Sequence, residues 1–198
     1  MGHQDDSDRL SEHERLLVEI GVLTPEGIAE RARTWRESER LIDLPPAEWP
    51  HLTIRWDFAW SSAHHSLDGM SRVDFDKHYP AGSLSLVCVP ISAARRVFCG
   101  NVRREDEELW SLGDKHKLAR ALLWWIEGNR MTPPFLRIVR NGADFNLPDC
   151  VTFNGGHHRF NICAAYGLDR FPAYIESADL EELIAMIPGT TKAGYLLR

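Results

Sequence analysis

Residues 153–174 read FNGGHHRFNICAAYGLDRFPAY, and the reading of this stretch decides the reading of the chain. It leaves a brief apolar strand, Val151 to Phe153, and turns at Gly155-Gly156. A helical pattern follows from about His158 to Tyr166, Gly167 stops it, and Phe171 to Ile175 forms another strand. Two glycines ahead of a helix let the backbone turn tightly and come close to a ligand. The first turn of a helix carries unpaired N–H groups and a partial positive charge, an arrangement that suits phosphate. Arg159 adds a fork of donors. His157 and His158 add a donor or a proton shuttle near neutral pH. The same residues also describe a plain structural turn with a solvated helix start, and composition does not choose between the two.

Working outward, Thr132-Pro133-Pro134 leads into a strand, Phe135 to Val139, and Asn141-Gly142 is a turn signal. Gly113-Asp114 starts a helix striped by Leu118, Leu122, Trp125 and Ile126 and ended by Gly128. Trp124-Trp125 at its end read as core rather than as a stacking platform. Leu84 to Val89 is a short apolar strand closed by Pro90. Downstream, Ser177 caps a last helix with Leu180, Leu183, Ile184 and Ile187 on one face.

Residues 1–45 read as two helices. Ser11 and Glu14 have capping-box spacing, Leu16, Leu17 and Ile20 follow at helical spacing, and Gly21 ends the helix. Thr24 caps the second helix with Pro25 at its first position, and Ile28, Ala32 and Trp35 share a face. Leu52, Ile54, Trp56, Phe58 and Trp60 alternate with Thr53, Arg55, Asp57 and Ala59, the period of a half-buried strand. Residues 61–82 read as loop. The expected organisation is an extension over 1–80, two helices and one strand packed on the core, followed by a mixed α/β (α+β) domain over 81–198.

The chain has 198 residues, enough for one domain with an extension, and a formal net charge of -6. No apolar run approaches a membrane span, and Met1 to Asp8 is polar and acidic, unlike a signal peptide. The four cysteines, Cys88, Cys99, Cys150 and Cys163, form no Cys-x-x-Cys pair. Reduced thiols and a cytoplasmic protein are expected. Acidity argues against tight nonspecific DNA binding, although Arg95-Arg96 and Arg103-Arg104 offer a local basic patch. His64-His65 lacks the spaced partners of a zinc site and reads as a polar loop. No protein-held metal is expected.

The order of these motifs resembles the ParB/sulfiredoxin superfamily over roughly residues 84–176. In that family a glycine, any residue, His or Arg, and then arginine open a helix of small residues, followed by glycine and a final strand. Here Gly155, Gly156, His157, His158 and Arg159 stand in that segment. Leu86 to Ile91 is similar to the family's first strand with its Val-Pro turn, and Asp114 to Gly128 to the helix before its Pro-Pro strand. Gly155 replaces the usual aspartate. His157 stands where sulfiredoxins carry their reactive cysteine, so sulfinic-acid repair has no nucleophile. The chain also ends soon after the family fold, so the helix-turn-helix region of segregation ParB proteins is not expected.

The resemblance implies a small mixed sheet with flanking helices and a nucleotide, ATP or CTP, carrying Mg2+ on its phosphates. It implies phosphate binding by Gly155, Gly156, His157, His158, Arg159 and Lys115. The catalytic group it implies is His158, Arg159 and His116, stabilising charge that builds in phosphoryl transfer. Glu105, Asp106, Asp144 and Asp149 are all candidates for a general base. Stand-alone relatives include free serine kinases and plasmid fertility-inhibition proteins. The expected function is therefore a nucleoside triphosphatase or a phosphotransferase to a small hydroxyl acceptor. The alternatives are a DNA-acting nuclease or interference factor, and a non-catalytic binding module. A homodimer stays open, and no membrane partner is expected.

Overall fold

The computed structural model describes residues 18–67, 69–100, 102–103, 109–141 and 148–194. Five strands build one mixed sheet: β1 (Leu84–Pro90), β2 (Phe135–Val139), β3 (Cys150–Gly155), β4 (Arg170–Glu176) and β5 (Thr191–Gly194), in the order β3-β2-β4-β1-β5. β1 runs antiparallel to both β4 and β5, β2 antiparallel to β3, and β2 parallel to β4 at Phe135 and Tyr174. The helices are α1 (Pro25–Glu39), α2 (Arg72–His78), α3 (Ile91–Val97), α4 (Lys115–Ile126), α5 (His157–Ala165) and α6 (Leu180–Met186). The coarse expectation, a mixed sheet with flanking helices, holds.

Strand alternation divides the buried side chains between the two faces of the sheet. Val87, Val89, Leu136, Ile138, Phe171, Ala173 and Ile175 join Leu118, Leu122 and Trp125 of α4, Phe160 and Ile162 of α5 and Leu183 of α6 in the main core. Leu84, Leu86, Phe135 and Tyr174 point the other way, into a smaller core closed by Ala63, Leu67 and Phe75. Residues 60–67 and 69–79 therefore cover the second face.

That cover corrects two expectations. Residues 52–60 do not form a strand. Their alternation is real where Leu52 is buried, but the segment is an extended strap bridged to the core at one position, Trp56 with Met131. The strap's backbone bonds at Arg55 and Asp57 run to Met131 and, at the Arg55 carbonyl, to the Trp125 indole N–H, so no ladder develops. Nor is 61–82 a plain loop. Trp60–Ser66 forms a 3-10 helix, and Ser71 caps α2 through the Asp74 N–H. The cap and the buried Phe75 stabilise a short helix that no long period announces.

Elsewhere the local signals act as read. Thr24 accepts from the Gly27 N–H to cap α1, and Asp114 accepts from His116 and Lys117 to cap α4. Gly21 takes a positive φ of 72° where a helix was expected to end, while Ser11, Glu14, Leu16 and Leu17 lie outside the described residues. Ser177 does not cap α6. Its hydroxyl donates to the Gly82 carbonyl and meets Ser85, and a 3-10 turn, Ser177–Asp179, precedes the helix. α1 packs along α4, with Trp35 stacked on His116 at 4.7 Å between ring centroids and Arg33 bonded to Glu127 at 2.8 Å.

The cysteines also depart from expectation. Cys99 and Cys150 form a disulfide, tying the segment after α3 to the start of β3 beside the Phe98–Val151 bridge. They are 51 residues apart in sequence and 6.0 Å apart at Cα, so only the fold brings them together. Cys88 and Cys163 are thiols. Among the described residues no helix is long and apolar enough to cross a membrane.

Candidate functional site

β3 ends and α5 begins at a crowded junction. A Cβ on Gly155 would overlap the carbonyl oxygen of Ser66, whose own hydroxyl donates to the Pro133 carbonyl at 2.7 Å. Gly156, at φ 92°, occupies the left-handed region, and a Cβ there would lie 2.9 Å from Pro134 Cα and 3.1 Å from Arg159 Cζ. Both glycines are thus required by packing against the end of the Trp60–Ser66 turn and the Pro-Pro segment.

Arg159 belongs to the same junction. It is only 8% exposed, and its Nη1 donates to the Thr132 carbonyl, to Thr132 Oγ1 at 2.9 Å and to the Pro133 carbonyl at 3.4 Å. The guanidinium satisfies backbone acceptors at the entry to β2, which burial would otherwise leave costly. His158 is equally buried, and its ring lies 3.8 Å from that of His157. Cys163, one turn deeper in α5, is fully buried, and desolvation pushes its thiol well above the ordinary range, so it packs and does not react.

The outer side of this junction is one wall of a cleft of about 530 Å³, lined by Gly156, His157, His158 and Arg159. α4 forms the facing wall through Lys117, Arg120, Ala121 and Trp124. These positions have i, i+3, i+4, i+7 spacing and make one helical face. Met131, Gly69 and Thr34 of α1 complete the lining, so the N-terminal extension shapes the cleft. No carboxylate lines it among the described residues. The nearby carboxylate, Asp114, is engaged at the α4 cap. The N–H of Lys117 and then that of His116 hold its carboxyl below the usual range, with the His158 and His116 rings adding to the effect.

The structure brings together some expected site residues and separates others. Gly156, His157, His158 and Arg159 border the cleft, while Gly155 lies buried behind it. Lys115 and His116 do not line it. The Lys115 ammonium lies 3.9 Å from an Asp43 carboxylate oxygen, and His116 stacks on Trp35. The helical phase explains this: Lys117 and Arg120 carry the cleft face, and Lys115 and His116 turn toward α1 and its outer end. Trp124 also corrects the reading. Trp125 is fully buried, but Trp124 is 47% exposed and lines the cleft. The i, i+3, i+7 series from Lys117 was the signal that would have found this face.

Two further expectations resolve structurally. Arg95 and Arg103 both donate to the Ala164 carbonyl, at 3.3 and 3.2 Å, at the C-terminal end of α5, and Arg96 beside them is exposed. Asp149 bonds the Asn141 N–H at the Val139–Cys150 end of the β2–β3 pair, the opposite end from Gly155. Arg104, Glu105, Asp106 and Asp144 lie outside the described residues. Among the described residues no group of three His, Cys, Asp or Glu side chains gathers as a metal site would require.

No protein-family model, curated protein or solved structure matches the chain.

Proposed function

We propose that this cleft binds the phosphate groups of a small ligand, and that the ligand is a nucleoside triphosphate, ATP or CTP, carrying Mg2+. The observation that carries this reading is the convergence of Lys117, Arg120, His157, His158 and Arg159 on one concave site whose described lining holds no carboxylate. Basic side chains gathered on the walls of one concavity favour an anion. The first turn of α5, which has no side-chain cap, adds oriented N–H groups from the facing wall. The order of motifs shared with the ParB/sulfiredoxin superfamily points to the same ligand class.

For chemistry, the reading is phosphoryl transfer to water or to a small hydroxyl acceptor. Lys117 and Arg120 offset charge on the transferring group. Both ring nitrogens of His158 are buried, so its ring lines the cleft without offering a nitrogen at the surface. Arg159 acts here as a positioning residue: through Thr132 and Pro133 it fixes the turn that sets the α5 N–H groups.

The test is calorimetric titration of ATP, CTP and tripolyphosphate, with Mg2+, into the wild type and the Lys117→Ala/Arg120→Ala double variant, followed by assay of phosphate release. Saturable binding that weakens by about tenfold or more in the double variant supports the reading. Absence of binding by all three ligands overturns it.

A further inference from the structure

The cleft has a direction. Lys117 lies in the first turn of α4, near Asp114, whose carboxyl feels the charge of His158. Trp124 lies two turns further along, about 10 Å by helical rise. The Lys117 end carries its ammonium, with His158 close enough to act on the Asp114 carboxyl, while the Arg159 guanidinium reaches Thr132 beside Met131. The other end is built from Ala121, Trp124 and Met131. Trp124 is not an ordinary exposed aromatic, because its indole Nε1 donates to the Arg130 carbonyl at 2.8 Å. That bond restrains the ring while the side chain lines the cleft. An indole half in water, restrained in a cleft lined by basic side chains, is a stacking surface awaiting a flat partner.

We propose that the ligand of this cleft is a phosphate ester bearing a flat ring, and that Trp124 is the residue that selects the ring. This rests on the phosphate-site reading and goes beyond it, since charge alone would accept inorganic polyphosphate as readily as a nucleotide. Trp124 stacks the ring face on its indole, while Lys117 and Arg120 of the same helix face hold the phosphates. Stacking tolerates any planar base, so Trp124 distinguishes nucleotide from polyphosphate and does not distinguish adenine from cytosine.

The experiment is titration of ATP and of tripolyphosphate, separately, into wild type, Trp124→Ala and Trp124→Phe. Wild type is expected to bind ATP about tenfold tighter than tripolyphosphate, the scale of one base on one aromatic ring. Trp124→Ala brings ATP down to the tripolyphosphate level and leaves tripolyphosphate unchanged, which also shows that the variant is folded. Trp124→Phe keeps most of the ATP preference. Equal affinities for both ligands in wild type, or a loss of both ligands together in Trp124→Ala with no rescue by Trp124→Phe, overturns the assignment while leaving the phosphate site standing. Binding of neither ligand by wild type overturns both.

Discussion

Gly156–Arg159 and Lys117–Trp124 face each other across one cleft, yet their side chains are committed differently. On the turn, the room for both glycines is set by Ser66 and Pro134, and the Arg159 guanidinium spends donors on Thr132 and Pro133. On α4, Arg120 is exposed and Trp124 is half in solvent. The turn is a joint of the fold that presents a helix start. The α4 face is a surface that presents charge and an aromatic plane. Residue types that suggest ligand binding can therefore serve the scaffold, and a face with no conspicuous motif can hold the groups that meet the ligand.

Substitutions on each wall separate the two roles. The largest loss of stability is expected for Gly155→Ala, about 3 kcal/mol, because the new methyl group meets a fixed backbone carbonyl. Urea unfolding midpoints measure it, and a wild-type midpoint would show that the 3-10 helix end at Ser66 yields easily. Arg159→Ala follows at about 2 kcal/mol, since the buried Thr132 carbonyl loses its donor while the Pro133 carbonyl keeps the Ser66 hydroxyl. Arg159→Lys recovers only part, because the bonds all come from Nη1, one bond beyond the reach of a lysine ammonium on the same stem. Lost ligand binding in Arg159→Ala is thus expected together with lost stability, and binding lost at full stability would make Arg159 a direct ligand contact.

Asp114→Ala is expected to cost about 1 kcal/mol through loss of the α4 cap. Its carboxyl is held low in the fold, so the charged cap's contribution is complete above the unfolded carboxyl value of about 3.9 and is lost as pH falls through the lower folded value. Asp114→Asn keeps the hydrogen bonds and flattens that acid limb in a stability-against-pH series. An acid limb unchanged in Asp114→Asn would place the titration elsewhere. The smallest stability change belongs to the α4 face: Lys117→Ala and Arg120→Ala are each expected within about 0.5 kcal/mol of wild type. Thermal unfolding checks this, and a larger loss would put these residues on the scaffold side of the comparison.

Much of the fold was legible because its signals are local. Thr24, Asp114, Gly167 and the apolar runs of the sheet strands each act within a few residues of themselves. The strap at 52–60 misled because alternation reports which side chains are buried and says nothing of whether the backbone finds a partner strand. Leu52 is buried as the pattern requires, yet the ladder stops at Trp56 and Met131. The Cys99–Cys150 bond and the contact of Ser66 with Gly155 join residues far apart in sequence, and spacing carries no trace of them. In the site, residues 156–159 were found through their own motif. Lys117, Arg120 and Trp124 were missed because the helix start at Asp114 drew attention to Lys115 and His116, which the helical phase turns away from the cleft.

The most direct test of the account is a ¹H–¹⁵N spectrum of the protein titrated with Mg-ATP. Saturable shifts are expected in the amides of His157, His158 and Arg159, in those of Lys117 to Trp124, and in the indole N–H of Trp124. Both walls should move together at one midpoint. Shifts that map away from these two walls, or a spectrum unchanged at saturating nucleotide, would contradict it.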